Sequence, residues 1–278
     1  MRATRNAALV VMAALAILVT VVVYRAGHAA ASSVADKGTL VIGVDGDRPG
    51  LGTRTPGGAY AGFEVDVATF VAGRLGVAGG GSVRFTAIHP GDWERALRTG
   101  AVDLVFAAYP ITPEVAGRVT FAGPYYVAHQ NILVRTHDGS IKNVRDLGGK
   151  RLCEVAGDRS AEHITQDLGI AAVSVPAGSY ADCVELLAGK RLDAVSADDL
   201  VLAGVVARAS DADVMIVNAP FTDERYGVAL KKGDVKGCAA VNRALTEMYQ
   251  SGAANTMITQ GFGAQGLSVI APQFEGCA

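Results

Sequence analysis

Short apolar runs alternate with amphipathic segments over most of this chain, and this alternation limits its possible folds more than any other feature. Residues 39–44, 83–88 and 102–107 have the apolar character of buried strands, whereas residues 63–75 and 92–99 place apolar side chains at helical spacing. Strands that alternate with helices form mainly parallel sheets covered by helices on both faces. The pattern therefore predicts an α/β fold.

A second alternating set begins near residue 150. Its predicted strands are 151–155, 172–175, 192–196 and 213–217, and its predicted helices are 160–168, 180–189 and 198–208. Residues 225–260 offer one strand and two helices, too few strands for a separate domain. We therefore predict two lobes, residues 38–128 with 222–270 and residues 129–221, with a cleft between them where small ligands usually bind.

Several connecting segments also have recognisable patterns. The Gly- and Pro-rich residues 45–58 predict a loop without regular structure. Thr112 followed by Pro113 predicts the start of a short helix, with Thr112 as its N-cap. Residues 118–121 and 130–135 predict strands.

The N-terminus has the pattern of an export segment. Arg2 and Arg5 precede an apolar run over residues 7–23, and the small residues 29–33 follow. The run is slightly long for a cleaved signal and slightly short for a membrane span, so residues 1–31 are either a signal peptide or a retained membrane anchor. Since no Cys lies near this site, we expect no lipid anchor. Either form predicts an extracytoplasmic location.

The charge of the remaining chain excludes one class of partner. Without residues 1–31, the sequence has 22 basic and 27 acidic residues, a net charge of −5 with His neutral. The charges of both signs are interspersed, whereas a nucleic-acid-binding surface needs concentrated basic residues. We therefore expect no nucleic-acid partner.

Four cysteines in an exported chain predict disulfides. The residues are Cys153, Cys183, Cys238 and Cys277. Three pairings are possible, and the sequence alone does not choose among them. A zinc site would need closely spaced Cys or His ligands, which the sequence lacks, so we expect no metal.

Motifs of catalysis are missing from the sequence. The Gly-rich runs lack the ending of a phosphate-binding loop, no Gly-x-Ser-x-Gly motif occurs, and the five His residues are scattered. We therefore expect neither an enzyme nor a cofactor.

Several ordered segments resemble the periplasmic amino-acid-binding proteins of ABC importers (type II, family 3), most closely the glutamate-binding members. The segments include residues 43–52, Gly62–Ala68, 100–104, 111–114, 121–126, 182–187, 192–199 and 225–228. The resemblance implies a two-lobed fold with a ligand cleft, a small polar ligand such as an amino acid, and a membrane permease as partner. It also favours the pairings Cys153–Cys183 and Cys238–Cys277.

The resemblance further implies which residues bind the ligand. Asp198 stands where relatives place the carboxylate that accepts the ligand's ammonium group, although the N-cap of the following helix is an alternative role. Relatives carry Arg, Ser and Arg where this chain has Val115, Pro110 and Trp93. Three polar side chains that bind the ligand in relatives are thus replaced.

Other positions suggest compensating contacts. Arg48 stands where glutamate binders have Gln, and Asp158 with Arg159 replaces the Ser-Thr of a carboxylate-binding turn. The remaining candidate ligand-binding residues are Arg118, Trp93, Tyr109 and Thr112. Arg118 could supply a positive charge one helical turn after Val115. Trp93 could stack on a ligand or a cation.

Two functions follow from this pattern. The first is a receptor that closes on a small polar ligand and delivers it to an ABC permease. The second is a membrane-anchored sensor or partner-binding protein, because the three replacements could mean a degenerate amino-acid pocket.

Overall fold

The computed structural model describes residues 33–77, 82–89, 91–209, 212–263, 267 and 269–277. The chain divides into two compact units, Met1–Ser33 and Val34–Ala278, and the second is described below. The predicted signal or anchor at residues 1–31 lies outside the described residues. Within the described ranges, no helix has the length and apolar character needed to cross a membrane.

The first sheet has five strands, which are β1 (Leu40–Val44), β5 (Val83–Ala87), β6 (Leu104–Phe106), β7 (Thr120–Ala128) and β13 (Glu224–Leu230). Their order in the sheet is β5-β1-β6-β13-β7. β1 is parallel to β5 and β6, whereas β13 is antiparallel to β6 and β7. The return of the late strand β13 to this sheet agrees with the prediction, and the sheet is mixed rather than mainly parallel.

The strands in the middle of the sequence form two small sheets. One has three strands in the order β11 (Val195–Asp198), β8 (Gln130–Arg135) and β12 (Val214–Ile216), and the other has the two strands β9 (Arg151–Val155) and β10 (Val173–Ala177). An isolated bridge joins them, and together they are called the second sheet. β9 is parallel to β10, a parallel bridge from Leu152 to Ala194 connects it to the β11 segment, and β8 is antiparallel to β11 and β12. Two sheets in one unit give the predicted two-lobed α/β fold, while the lobe boundaries remain a prediction.

Eight α-helices are present among the described residues. They are α1 (Phe63–Arg74), α2 (Trp93–Thr99), α3 (Pro113–Ala116), α4 (Ser160–Glu162), α5 (Tyr180–Ala188), α6 (Asp199–Arg208), α7 (Val235–Gln250) and α8 (Ala253–Phe262). A π-helical turn, His163–Asp167, continues α4. Thr112 caps α3 as predicted, because its hydroxyl accepts a hydrogen bond from the Val115 N–H.

The prediction of an irregular loop over residues 45–58 was wrong. Three short antiparallel strands, β2 (Asp47–Arg48), β3 (Gly52–Arg54) and β4 (Tyr60–Ala61), form a small sheet around this segment. Gly52 is needed there because a Cβ would meet the Asp45 carbonyl oxygen. The glycine thus permits close strand contact, whereas its presence in the sequence suggested only a loop.

The strand predicted at 192–196 lies two to three residues later, at Val195–Asp198. The preceding Asp193 contacts Arg151 on β9 through both backbone and side chain. Its N–H donates to the Arg151 carbonyl, and its carboxylate accepts hydrogen bonds from the Arg151 backbone N–H at 2.9 Å and from the Arg151 side chain. This shift places Asp198 at the carboxyl end of the strand.

Both local disulfides favoured by the resemblance are present. Cys153 on β9 is bonded to Cys183 on α5, and Cys238 on α7 is bonded to Cys277 near the C-terminus. The first connects a sheet strand to its covering helix, and the second holds the C-terminal segment against α7.

Helix α6 makes an unusually close contact with the loop after Arg48. A Cβ on Gly204 would meet the Pro49 carbonyl oxygen, would lie 2.6 Å from the Pro49 carbonyl carbon, and would lie 2.9 Å from the Gly50 nitrogen. Real Cβ atoms do not approach backbone so closely, so this position requires glycine. The contact also fixes the backbone that carries Arg48.

We predict that Gly204→Ala destabilises the fold by about 1–3 kcal/mol, because the added methyl group overpacks this contact. Glycine-to-alanine changes inside helices normally stabilise by about 0.5–1 kcal/mol. Gly73 in α1 is the matched control, since nothing lies within 4 Å of its Cβ position. Urea unfolding of both variants measures the difference. Equal stabilisation by the two substitutions would contradict the close contact.

Candidate functional site

A cleft of about 510 Å³ lies between residues of both sheets. Its walls include Arg48, the segment Ala108–Thr112, the turn Gly157–Ser160, Asp198 and the start of β13. These segments are far apart in sequence, and the fold brings them together. The cleft has the size and the mixed polar lining of a small-molecule site.

Six of the eight predicted ligand-binding residues line this cleft. They are Arg48, Tyr109, Thr112, Asp158, Arg159 and Asp198. Trp93 and Arg118 lie elsewhere. The arrangement therefore combines carboxylates, guanidinium groups and an aromatic ring in one cavity.

Asp198 ends β11 and stands at the N-cap position of α6, but its side chain does not cap that helix. The neighbouring Asp199 carboxylate accepts a hydrogen bond from the Leu200 N–H instead, at 2.8 Å. The Asp198 Oδ2 atom accepts a hydrogen bond from the Tyr226 hydroxyl. No described residue donates to Oδ1, so this oxygen is available to a ligand.

Burial is the largest influence on the pKa of Asp198. The residue is only 9% exposed, and desolvation raises its pKa to about 6, against the lowering effects of the Tyr226 hydrogen bond and the Arg48 charge. Repulsion from Asp158 and Asp199 contributes to this rise in pKa. The carboxylate would therefore be stabilised by a cation that enters the cleft.

Arg48 supplies positive charge from a segment near the start of the described chain. Its Nε donates to the Asp45 carboxylate at 3.1 Å, and its side chain is 18% exposed. Burial disfavours its charged form, but the charges of Asp158 and Asp45 contribute to a pKa above the ordinary value. Arg48 is thus a permanent cation in the cleft wall.

The turn after β9 carries Asp158 and Arg159. The Asp158 Oδ1 atom accepts a hydrogen bond from the Ser160 N–H at 2.8 Å, which fixes the turn. The Arg159 side chain is 76% exposed, and its Nε donates to Glu162 at 3.2 Å. Arg159 therefore lies at the solvent-exposed rim, whereas Asp158 is part of the turn itself.

Trp93 is 5% exposed and belongs to the apolar core beneath the cleft wall. Its ring stacks on Tyr109, with centroids 4.7 Å apart and planes inclined by 21°. It supports the ring that lines the cleft and does not line the cleft itself. Its helical position, with apolar neighbours on the same helix face, explains this burial.

Arg118 is an exposed residue with two carboxylate partners. Its guanidinium donates to Glu94 at 2.7 and 2.9 Å and to Glu114 at 3.1 Å. It lines a separate surface depression with Glu94, Lys231 and Lys232. The turn from α3 into β7 directs Arg118 away from the cleft, so Arg118 does not substitute for the Arg that relatives carry at the position of Val115.

Glu224 is a cleft residue that the sequence analysis missed. It is half-buried at the start of β13 and lines the cleft. Burial and repulsion from Asp198 and Asp158 raise its pKa to about 7. Side chains alternate between the two faces of a strand, so Glu224 and Tyr226, two residues apart on β13, share one face. This spacing could have indicated Glu224 from the sequence.

Gln130 was also missed, and it connects β8 to the turn. Its side-chain amide donates to the Ser160 carbonyl at 2.8 Å and to the Ser196 hydroxyl at 3.0 Å. These bonds position the Gly157–Ser160 turn. A glutamine within a strand pattern offered no indication of this role.

A buried acid supports the Ala108–Thr112 wall. The Glu64 carboxylate at the start of α1 accepts hydrogen bonds from the Ala108 N–H and from the Tyr125 hydroxyl. Ala108 has a positive φ of 51°, an unfavourable conformation for a residue with a side chain. Burial raises the pKa of Glu64 to about 7. Glu64 thus holds the turn from which this cleft wall begins.

Among the described residues, no group of three or more His, Cys, Asp or Glu side chains is placed to hold a metal ion. The cleft itself is lined by charged and polar side chains, among them Arg48, Asp158 and Asp198. A zwitterion matches it, because buried carboxylate and guanidinium groups can each pair with an opposite charge.

Comparison with known proteins gives consistent results. Residues 40–264 match the model of the bacterial extracellular solute-binding proteins, family 3. The glutamate-binding protein GluB of Corynebacterium glutamicum is 33% identical over 238 residues, which are 82% of this chain and 80% of that protein.

Solved structures show the same fold. An ancestral arginine-binding protein bound to arginine is 30% identical, with a TM-score of 0.69 and coverage of 82% of this chain and 99% of its own. An ancestral cationic amino acid solute-binding protein is 30% identical, with a TM-score of 0.72. The match covers 82% of this chain and 97% of that protein. The fold, the cleft and these similarities together show that this chain belongs to the bacterial extracellular solute-binding proteins of family 3.

Proposed function

We propose that this chain is an extracytoplasmic receptor that binds a free amino acid in its cleft and presents it to the permease of an ABC importer. The observation that carries this proposal is the Asp198 carboxylate, whose Oδ1 atom has no donor among the described residues, in the same cleft as the cationic Arg48. An amino acid needs an acceptor for its ammonium group and a cation for its carboxylate once water is removed.

We assign Asp198 to the ligand's ammonium group and Arg48 to a carboxylate. Thr112 and Arg159 line the same cleft and could add hydrogen bonds or charge to the carboxylate. Tyr109, supported by Trp93, offers an aromatic face for the ligand's carbon chain. In this arrangement Arg48 substitutes for the carboxylate contacts that Val115 and Pro110 cannot make.

Family membership supports the transport role over that of a sensor with a degenerate pocket. The relatives are binding proteins for amino acids, with names that specify glutamate in one case and arginine in another. We therefore infer a binding role without catalysis. We further propose that the lobes, residues 38–128 with 222–270 and residues 129–221, close on the ligand, and that residues 1–31 direct export.

Isothermal titration calorimetry against L-glutamate, L-glutamine and L-arginine tests this function. We expect at least one of these amino acids to bind with micromolar affinity. The absence of binding by all three at millimolar concentration, from protein with a cooperative thermal transition, would refute the receptor function.

Asp198→Asn should weaken binding of the preferred amino acid by roughly tenfold to a hundredfold, because it removes a charge-assisted hydrogen bond of about 1.5–3 kcal/mol. The Asn side chain can still accept the Tyr226 hydrogen bond, so we expect the melting temperature to be retained. Asp199→Asn is the matched control, since Asp199 does not line the cleft. Equal effects of the two substitutions on affinity would argue against the assignment of Asp198.

Affinity should also rise with pH. The pKa of Asp198 is raised to about 6, so protonation below this value removes the charge that binds ammonium. Titration of this group alone predicts an increase of about fourfold in affinity between pH 5.5 and 8. The charged and titratable groups that act on Asp198 include Tyr226, Arg48, Asp158, Asp199 and Glu224. Titration calorimetry at both pH values measures the change, and a flat or falling affinity would contradict it.

A further inference from the structure

We propose that the cleft selects an amino acid with a second cationic group at the end of its side chain. This inference rests on the proposed receptor function and specifies its ligand class. It comes from the distribution of ion pairs in the cleft, where the arginines already have carboxylate partners and several carboxylates lack cationic ones.

Each of the three arginines that line the cleft is paired with an acid outside the lining. Arg48 pairs with Asp45 at 3.1 Å. Arg159 pairs with Glu162 at 3.2 Å, and Arg225 pairs with Glu275 at 2.6 Å. Each arginine thus already has one carboxylate partner, and only Arg48, the most buried of the three, is assigned to the ligand's carboxylate.

The carboxylates of the cleft fall into two groups. Asp167 and Asp223 lie 2.9 Å from the ring nitrogens of His163 and His129. In contrast, Asp158, Asp198 and Glu224 form no ion pair with any described residue. The cleft thus presents three carboxylates without an ion-pair partner among the described residues, more than a ligand with one ammonium group would pair.

The strand β13 determines how far Glu224 lies from Asp198. Tyr226, whose hydroxyl donates to Asp198, pairs with Tyr126 across the ladder, and Glu224 pairs with Ala128 without a register shift between them. Residues two apart on a strand share a face at about 6–7 Å separation. Glu224 therefore lies two residues along the strand from Tyr226, which holds Asp198. A ligand bound to Asp198 through its ammonium group could reach Glu224 with the end of a flexible side chain.

The acidity of these groups supports the same inference. Burial and the charges of Asp198 and Asp158 raise the pKa of Glu224 to about 7, against the lowering effects of Arg48 and Arg159. Removing carboxylates from water without a cation is unfavourable. A second ligand cation would relieve both the burial and the mutual repulsion, whereas a side-chain carboxylate would increase the repulsion.

The test compares L-arginine with L-citrulline, which has nearly the same shape but a neutral side chain, and with L-glutamate. We expect L-arginine to bind at least about tenfold more tightly than L-citrulline, and L-glutamate to bind most weakly. Tight binding of L-citrulline or L-glutamate with weak binding of L-arginine would overturn this inference and leave the receptor function intact. No binding of any of the three, or of L-glutamine, would refute the receptor function itself.

Glu224→Gln should lower the ratio of arginine to citrulline affinity by about tenfold. The matched control is Glu247→Gln, which removes the same charge from an exposed residue of α7 paired with Arg74. An unchanged ratio in Glu224→Gln, or an equal fall in the control, would overturn the assignment of Glu224 to a ligand cation.

Discussion

The hydrogen bond from the Tyr226 hydroxyl to Asp198 is the interaction on which the cleft depends. Tyr226 belongs to a strand of the first sheet and Asp198 ends a strand of the second, so one bond connects the two sheets at the ligand site. Both side chains are almost completely buried. The bond holds the carboxylate in position through one oxygen and leaves the other without a donor among the described residues. The Asp199 carboxylate accepts a hydrogen bond from the Leu200 N–H in the first turn of the helix that follows.

The rest of the cleft is assembled around this bond from short segments with individual supports. Glu64 holds the turn at Ala108, Gln130 holds the turn at Ser160, and Gly204 lets helix α6 contact the loop beside Arg48. None of these three residues needs to touch a ligand. Their common effect is to fix charged side chains whose placement would otherwise vary with loop motion, and this pre-organisation lowers the cost of binding.

Much of this arrangement could be predicted from the sequence, because strand and helix patterns depend on local periodicity. Such patterns predict the order of the strands and helices, the N-cap at Thr112 and the return of β13 to the first sheet. The family resemblance predicts that Asp198 and Arg48 lie in the cleft. Trp93 was placed in the cleft because relatives carry a ligand-binding Arg at its position, but its packing beneath Tyr109 depends on distant residues. Glu224 was missed because its importance comes from charges on other strands, and residues 45–58 were misread because glycine also permits close strand contact.

A crystal structure of the protein grown with L-arginine tests the central claim most directly, because it shows which atoms of the chain bind the ligand's charges. The account predicts arginine in the cleft, with its ammonium group at about 2.7–2.9 Å from the Asp198 carboxylate and its guanidinium group toward Glu224. Arginine bound with its ammonium group away from Asp198, or a cleft occupied only by solvent at saturating arginine, would contradict it.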